Sequence, residues 1–313
     1  MIELSLALRN LNRNKRRSIA TLLAMAIGST AILMFSGYSA NIRYSMQTAY
    51  ARNSGHLQIQ HRDFFLYGSG NPSAYGIQNY QQLVQAIKSD PSLAGQVTVV
   101  TPTLQFGAIA GNYAAGVSRT VVGVGMVAVD HNRMRAWNEY GLPLHSPTFA
   151  LEGAAPDAAI VGVGVARVLQ LCDRLEIKDC PSPIEQQPQL GKVLPSDIAT
   201  LAMSEAPAAG VATIAIPHAK LDLLASTANG TPNVVSLQVI RAERQGFKEL
   251  DEVYLMLNLQ QAQRLIYGRS SPKATSIMIQ LSRTEQIPSA RDRLTKLVAE
   301  VLPYQPLSLR DFR

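Results

Sequence analysis

Between Arg17 and Arg43 the chain carries no charge for 25 residues, from Ser18 to Ile42. A helix rises about 1.5 Å per residue, so this window is long enough to cross a hydrocarbon core of roughly 30 Å. A buried helix of a water-soluble domain rarely stays uncharged for so long. A cleavable export signal has an apolar region of about 7–15 residues followed by small residues, and here only Gly37-Tyr38-Ser39 and its neighbours resemble a cleavage site. An uncleaved transmembrane helix over residues 18–42 fits best, with a cleaved signal and a soluble core helix as the alternatives. Ala20, Ala24 and Gly28 recur every four residues. They make either a small-residue face for another membrane helix or a chance pattern facing lipid.

The residues before the window set its direction. Arg9, Arg13, Lys15, Arg16 and Arg17 hold the N-terminus on the cytoplasmic side, because basic flanks stay inside. The formal charge is +7; residues 1–17 supply +4 and the remaining 296 residues only +3. A nucleic-acid partner would need a basic face with stacking aromatics elsewhere, and none shows. Leu4, Ala7, Leu8 and Leu11 fall on one helical stripe, the pattern of an amphipathic helix over residues 1–17 lying on the cytoplasmic membrane surface. Residues 44 onward are then extracytoplasmic. Cys172 and Cys180 sit close together in LQLCDRLEIKDCPSP. In an oxidising compartment such a pair forms a local disulfide. The rival is half of a metal site, which lacks a nearby His and is not closed by two thiols alone.

The exported part reads as mixed α+β. Residues 43–55 continue the membrane helix as a stalk. GHLQIQ alternates with Leu57 and Ile59 on one face, a strand; NYQQLVQAIKSDP places Leu83, Val84 and Ile87 at helical spacing before Pro91. Two strands follow around GNYAAG. Near the other end TSIMIQLS alternates, SARDRLTKLVAEV is helical, and YQPLSL reads as a last strand. The two strand-helix-strand units are expected to form one membrane-proximal subdomain from residues 56–126 and 273–313. Residues 127–272 would be an inserted, β-rich distal subdomain. It holds the strand-like runs AAIVGVGVA, VATIAI, VVSLQVI and EVYLMLN, the helix LQQAQRLIYG, and a Gln/Pro-rich loop over residues 181–195.

No motif assembles a chemical site. VVGVGM and IVGVGV are fragments of a glycine-rich phosphate loop, but Arg167 stands at the third glycine position after Gly162 and Gly164. These glycines are read as close-packing residues of strands. There is no G-x-x-x-x-G-K-[ST], no H-E-x-x-H and no G-x-S-x-G. Ser270 and Lys273 match S-x-x-K only formally, since Pro272 puts them in a turn. His56 and His61 are expected on opposite faces of the chain, at the surface, and Trp137 in packing. Catalytic, cofactor and metal residues are expected to be none.

Taken in order along the chain, several segments resemble the MacB, LolC/LolE and FtsX family of ABC-transporter permeases. They are LALRNLNRNKRRSIATLLAMAIG, GHLQIQ after the stalk, AAIVGVGVARVLQLCDRLEI, and LDEVYLMLNLQQAQRLIYG followed by TSIMIQL. Cys172-Asp173 departs from the pattern, in which a Gly-Asp pair is common. The resemblance implies a first inner-membrane helix, a two-subdomain periplasmic domain with one porter-like part, and three further membrane helices after Arg313. It also implies a homo- or heterodimer of permeases working with a separate ABC ATPase subunit, so that ATP hydrolysis lies in the partner and this chain is not an enzyme. By the same resemblance, stalks transmit ATPase motion to the periplasmic domains for export or extraction of a lipoprotein, lipid or amphipathic substrate, with a periplasmic carrier or adaptor as a further partner. The alternative is a single-pass membrane-anchored periplasmic sensor or binding protein.

Overall fold

The computed structural model describes residues 9, 13–68, 70–143, 148–178, 180 and 219–311. Most of the expected surface helix over residues 1–17, the run VATIAI and the Gln/Pro-rich stretch 181–195 therefore lie outside the described residues. The expected membrane helix and stalk form one unbroken helix, α1 (Lys15–Ser54), about 60 Å long. Leu33, Met34 and Phe35 within it are 72%, 71% and 73% exposed. An apolar surface left this bare in a helix this long is what a bilayer solvates. Gly55 ends it with φ of +77°, and a Cβ there would stand 2.6 Å from the Ile279 carbonyl oxygen, so the turn into the next strand requires glycine.

The part that follows α1 is built around one strand, β2 (Val97–Asn112). Its first half belongs to a four-stranded antiparallel sheet with β8 (Ser276–Leu281), β1 (Leu57–His61) and the edge strand β9 (Leu307–Asp311), in the order β2-β8-β1-β9. Helix α3 (Tyr80–Ser89) connects β1 to β2, and α8 (Ile287–Val301) connects β8 to β9. The result is a β-α-β-β-α-β split unit of the ferredoxin-like kind. Its core packs Leu57, Ile59, Ile277, Ile279 and Leu281 against Leu83, Val84 and Ile87 of α3 and Ala290, Leu294 and Leu297 of α8. These are the alternate strand positions and the 3.6-period helix positions that the sequence marks.

The second half of β2 belongs to a barrel. It pairs with β3 (Val117–Met126), β3 pairs parallel with β7 (Tyr254–Asn258), β7 with β4 (Ala158–Gly162), β4 parallel with β6 (Pro232–Glu243), and β6 with β5 (Ala219–Ser226). β5 returns to β2 through Ile109↔Leu224, closing a six-stranded circuit. Leu104, Phe106, Val121, Val161, Leu221, Leu237 and Leu255 fill it, joined by the apolar sides of α5 (Val163–Val168) and α7 (Leu259–Tyr267). β4 reads as a continuous apolar run because its outer face is also covered, by Phe149, Leu151 and Met256. Two short helices, α2 (Phe64–Tyr67) and α6 (Lys248–Asp251), and one of eight residues, α4 (Ala128–Arg135), complete the elements.

Two expected boundaries fall elsewhere in the structure. β3, assigned to the membrane-proximal part, is a barrel strand, because its hairpin with β2 lies beyond the point where β2 leaves the small sheet. Residues 128–137, assigned to the insert, pack back on α1 and on the membrane-proximal sheet, where Met134 and Trp137 are buried.

The glycine pattern of β3 has a packing cause. Gly123 is paired with Phe106, and a Cβ at 123 would collide with the Phe106 ring. Gly107, one residue along β2 on the outer wall, has nothing within 4 Å of a Cβ position. Gly123→Val should lower the unfolding free energy by about 1–3 kcal/mol, whereas Gly107→Ala should change it by about 0.5 kcal/mol or less. Denaturant titration of the two variants checks this.

Candidate functional site

Among the described residues, no group of three or more His, Cys, Asp or Glu side chains is placed to hold a metal ion. The glycine-rich turn at Gly162-Val163-Gly164 is occupied by the protein itself. The Asp251 carboxylate accepts from the backbone N–H of Val163 (3.0 Å) and of Gly164 (3.1 Å), so a carboxylate stands where a phosphate would bind. Close by, Glu252 takes up both Arg119 and Arg167, at 3.1 and 3.4 Å. Ser270 and Lys273 lie in the turn after α7. Cys172 and Cys180 are bridged, with Cα atoms 6.1 Å apart, and Cys172 packs against the barrel core.

What the structure does assemble is a joint between the end of α1 and the membrane-proximal sheet. One face of that sheet carries a polar row, Gln58, Thr101, Thr103, Ser276 and Gln280, which strand alternation alone would give to solvent. Instead α4 and the last turns of α1 lie over it. A helix leaves its last carbonyls without intrahelical partners, and here the sheet supplies the donors. The Gln280 side-chain amide donates to Ala51 O of α1 and to Met134 O of α4, both at 2.9 Å. Gln58 donates to Ser54 O at 3.1 Å. The Gln280 side-chain oxygen accepts from Thr98 Oγ1 at 3.1 Å, and the residue is 1% exposed.

The segment after α4 clasps the joint from the side. Trp137 donates its indole N–H to Ser282 O (3.2 Å). The Tyr140 hydroxyl is 3.0 Å from Gln47 Oε1 of α1 and 3.1 Å from Thr284 Oγ1, and its ring lies 4.6 Å from that of Tyr44. The Glu139 carboxylate accepts from the Thr284 backbone N–H and hydroxyl, both at 2.8 Å. Beneath this clasp is His56. The expectation of a surface histidine is corrected: His56 is 5% exposed, its Nδ1 accepts from the Leu281 N–H at 3.0 Å, and its ring meets Trp137 edge-on at 4.9 Å. Accepting at Nδ1 fixes the neutral tautomer with the proton on Nε2. Burial lowers its pKa to about 4, with Glu139 pulling the other way. His61 is half-buried against Tyr75. The row of buried polar residues left no signal in sequence, since Gln280 sits at an alternate position that reads as outward.

On the barrel's outer wall a shallow groove of ≈ 550 Å³ runs past Ile109 and Leu224. Ile109 pairs with Thr120 and Leu224, and Leu224 with Val234, so exposed side chains line up across four strands. Glycines at 107 and 230 keep the wall low.

Among solved structures, the chain is similar to the extracellular domain of the noncanonic ABC-type transporter YknZ from Gram-positive bacteria. Identity is 11% over 82% of this chain and 99% of that one, with a TM-score of 0.41. It is also similar to the periplasmic region of MacB from Actinobacillus actinomycetemcomitans, with 12% identity over 83% of this chain and 91% of that one, and a TM-score of 0.41. No protein-family model matches the chain, and no curated protein matches it.

Gln280→Leu leaves the Ala51 carbonyl unpaired under cover and takes from the Met134 carbonyl its side-chain donor, leaving it the backbone N–H of Trp137. It should cost about 2–3 kcal/mol and speed amide exchange in the last turns of α1 and α4 while β5 and β6 keep their protection. Hydrogen exchange with mass spectrometry reads both. The cysteine pair closes a small loop for which the chain-entropy model gives about 2–3 kcal/mol. Thiol counting on unfolded, unreduced protein should find no free thiol.

Proposed function

We propose that this chain is a permease component of an ABC transporter, carrying motion from a partner ATPase to an exported sheet and barrel. The observation that carries the reading is α1, a single helix of 40 residues that holds the apolar stretch and continues unbroken into the joint. A rod without a kink, bonded at one end into a sheet, passes displacement rather than absorbing it. The sequence resemblance given above supports the same reading, as does the basic cluster ahead of the apolar window, which favours a cytoplasmic N-terminus and a domain outside the inner membrane. The disulfide fits an oxidising compartment. ATP hydrolysis belongs to the partner, since the sequence has no P-loop. The substrate is a lipoprotein, lipid or other amphipathic compound, moved by a homo- or heterodimer of permeases with a carrier or adaptor outside. The exposed Ile109–Leu224 wall offers apolar contact of that kind.

Two measurements test this reading together. Tyr304 is 97% exposed, so Tyr304→Cys should react with an impermeant thiol reagent in cells whose outer envelope alone is opened. Lys15→Cys should react only after the inner membrane is opened. Purified in detergent from its native membrane, the tagged chain should bring with it an ATPase activity that disappears when the partner's P-loop lysine is replaced. The expected labelling without any ATPase would overturn the permease role and favour an anchored binding protein. Reversed labelling would overturn the topology.

A further inference from the structure

The joint contains one titratable group that its architecture does not need to be titratable. The Leu281 N–H requires an acceptor, and many side chains could provide one. An imidazole provides it only while Nδ1 is unprotonated. We propose that His56 makes the joint a proton-sensitive latch, in which a proton taken up at Nδ1 releases the end of the membrane helix from the sheet. This inference rests on the joint alone and stands whether or not the chain works with an ATPase.

The geometry gives the mechanism. Protonated, Nδ1 becomes a donor facing another donor 3.0 Å away, the Leu281 N–H, so the bond that holds the ring is replaced by a repulsion. The ring is buried against Trp137, which it meets edge-on. Its other nitrogen, Nε2, has no protein partner, so no acceptor on that side stabilises the charged ring. The escape is outward, past Trp137, whose indole N–H is the clasp's bond to Ser282 O. A cavity of ≈ 20 Å³ beside the ring, lined by Gln47, Tyr50, Ala51, Gly55, Thr284 and Ile287, has room for a water-sized proton carrier. It lies between α1 and the start of α8, where a loosened joint would open first.

The charged groups on the elements around the ring divide as follows. Glu139, in the segment after α4, favours the protonated ring, but its carboxylate is already engaged by Thr284. Arg52 on α1 and Arg135 on α4 are both cationic; burial, then repulsion from Arg135, lowers the pKa of Arg52. His131, also on α4, is buried, and burial, then Arg135, lowers its pKa to about 4 as well. Tyr50 lines the cavity from α1, and the strand face contributes no ionisable side chain beside the ring. The folded pKa of about 4 lies below the ordinary value of 6.5. The folded joint therefore binds fewer protons than the open one between those values. Its stability is complete above about pH 6.5 and drains away as the pH falls towards 4.

Trp137 is the chain's single tryptophan and touches His56, so the latch carries its own reporter. The full chain in lipid nanodiscs, titrated from pH 7.5 to 3.5, should show a reversible red shift of tryptophan emission with a midpoint between pH 4 and 6.5. Over the same range, amide exchange corrected for its intrinsic pH dependence should rise at least tenfold in residues 48–56. β5 and β6 should stay protected. His56→Asn keeps an acceptor near the Nδ1 position without a titrating ring, and should abolish the shift while retaining the far-UV spectrum at pH 7.5. Should that variant fail to fold, NMR of histidine-labelled wild-type protein decides, with His56 expected to titrate in step with the tryptophan. A shift that persists in His56→Asn, a His56 that titrates with no change at Trp137, or loss of barrel protection at the same midpoint would each overturn the proposal. The last would mean general acid unfolding rather than a latch.

Discussion

The amide of Gln280 is the point on which the membrane-proximal structure depends. Two helices, α1 and α4, end over the same sheet face, and each brings carbonyl groups that have no partner within the helix. Burying them unpaired would cost more than the apolar contacts around them return. One side chain meets this requirement by donating to Ala51 and Met134 at once and accepting from Thr98. With both helix ends fixed, Trp137, Tyr140 and Glu139 fall beside α1 and the strand ends, and the clasp assembles from short-range contacts. The end of α1 is held through hydrogen bonds as well as ring and apolar contacts, which makes the attachment directional.

Beyond that attachment, β2 is the shared member. Sixteen residues long, it serves as an edge of the small sheet and then as a wall of the barrel without a break. The two subdomains are therefore joined through continuous backbone and not only through a linker. Closure of the barrel leaves the outer sides of β9 and of the first half of β2 as free edges among the described strands. Arg291 pairs with Asp311 on β9 and Arg310 lies over the Phe65 ring, charges of the kind that keep an edge from recruiting a foreign strand.

Much of this was legible in the sequence, and what was not has definite causes. The uncharged window, both strand-helix-strand units and the apolar faces of α3 and α8 follow from local periodicity, which is fixed within a few residues. Barrel closure depends on β2 meeting β5 more than a hundred residues away, and no local pattern encodes that pairing. β3 was misplaced for the same reason: a hairpin is visible in sequence, but the point along β2 where one sheet gives way to another is not. Gln280 and His56 were missed because alternation identifies the face a residue takes and not what covers that face. The glycines of VVGVGM and IVGVGV were read as packing residues, and Phe106, Ala262 and Asp251 are the neighbours that make them so.

The order β2-β8-β1-β9 determines how the domain bears load. Chain leaving α1 enters β1, and β1 is an inner strand, laddered to β8 on one side and β9 on the other over nearly its whole length. A tug along β1 loads both ladders in shear, so their bonds resist together instead of parting one after another as they would if an edge strand were peeled away. A helix drawn down towards the bilayer would thus drag the sheet as a unit, and the continuous β2 would pass the strain to the barrel wall.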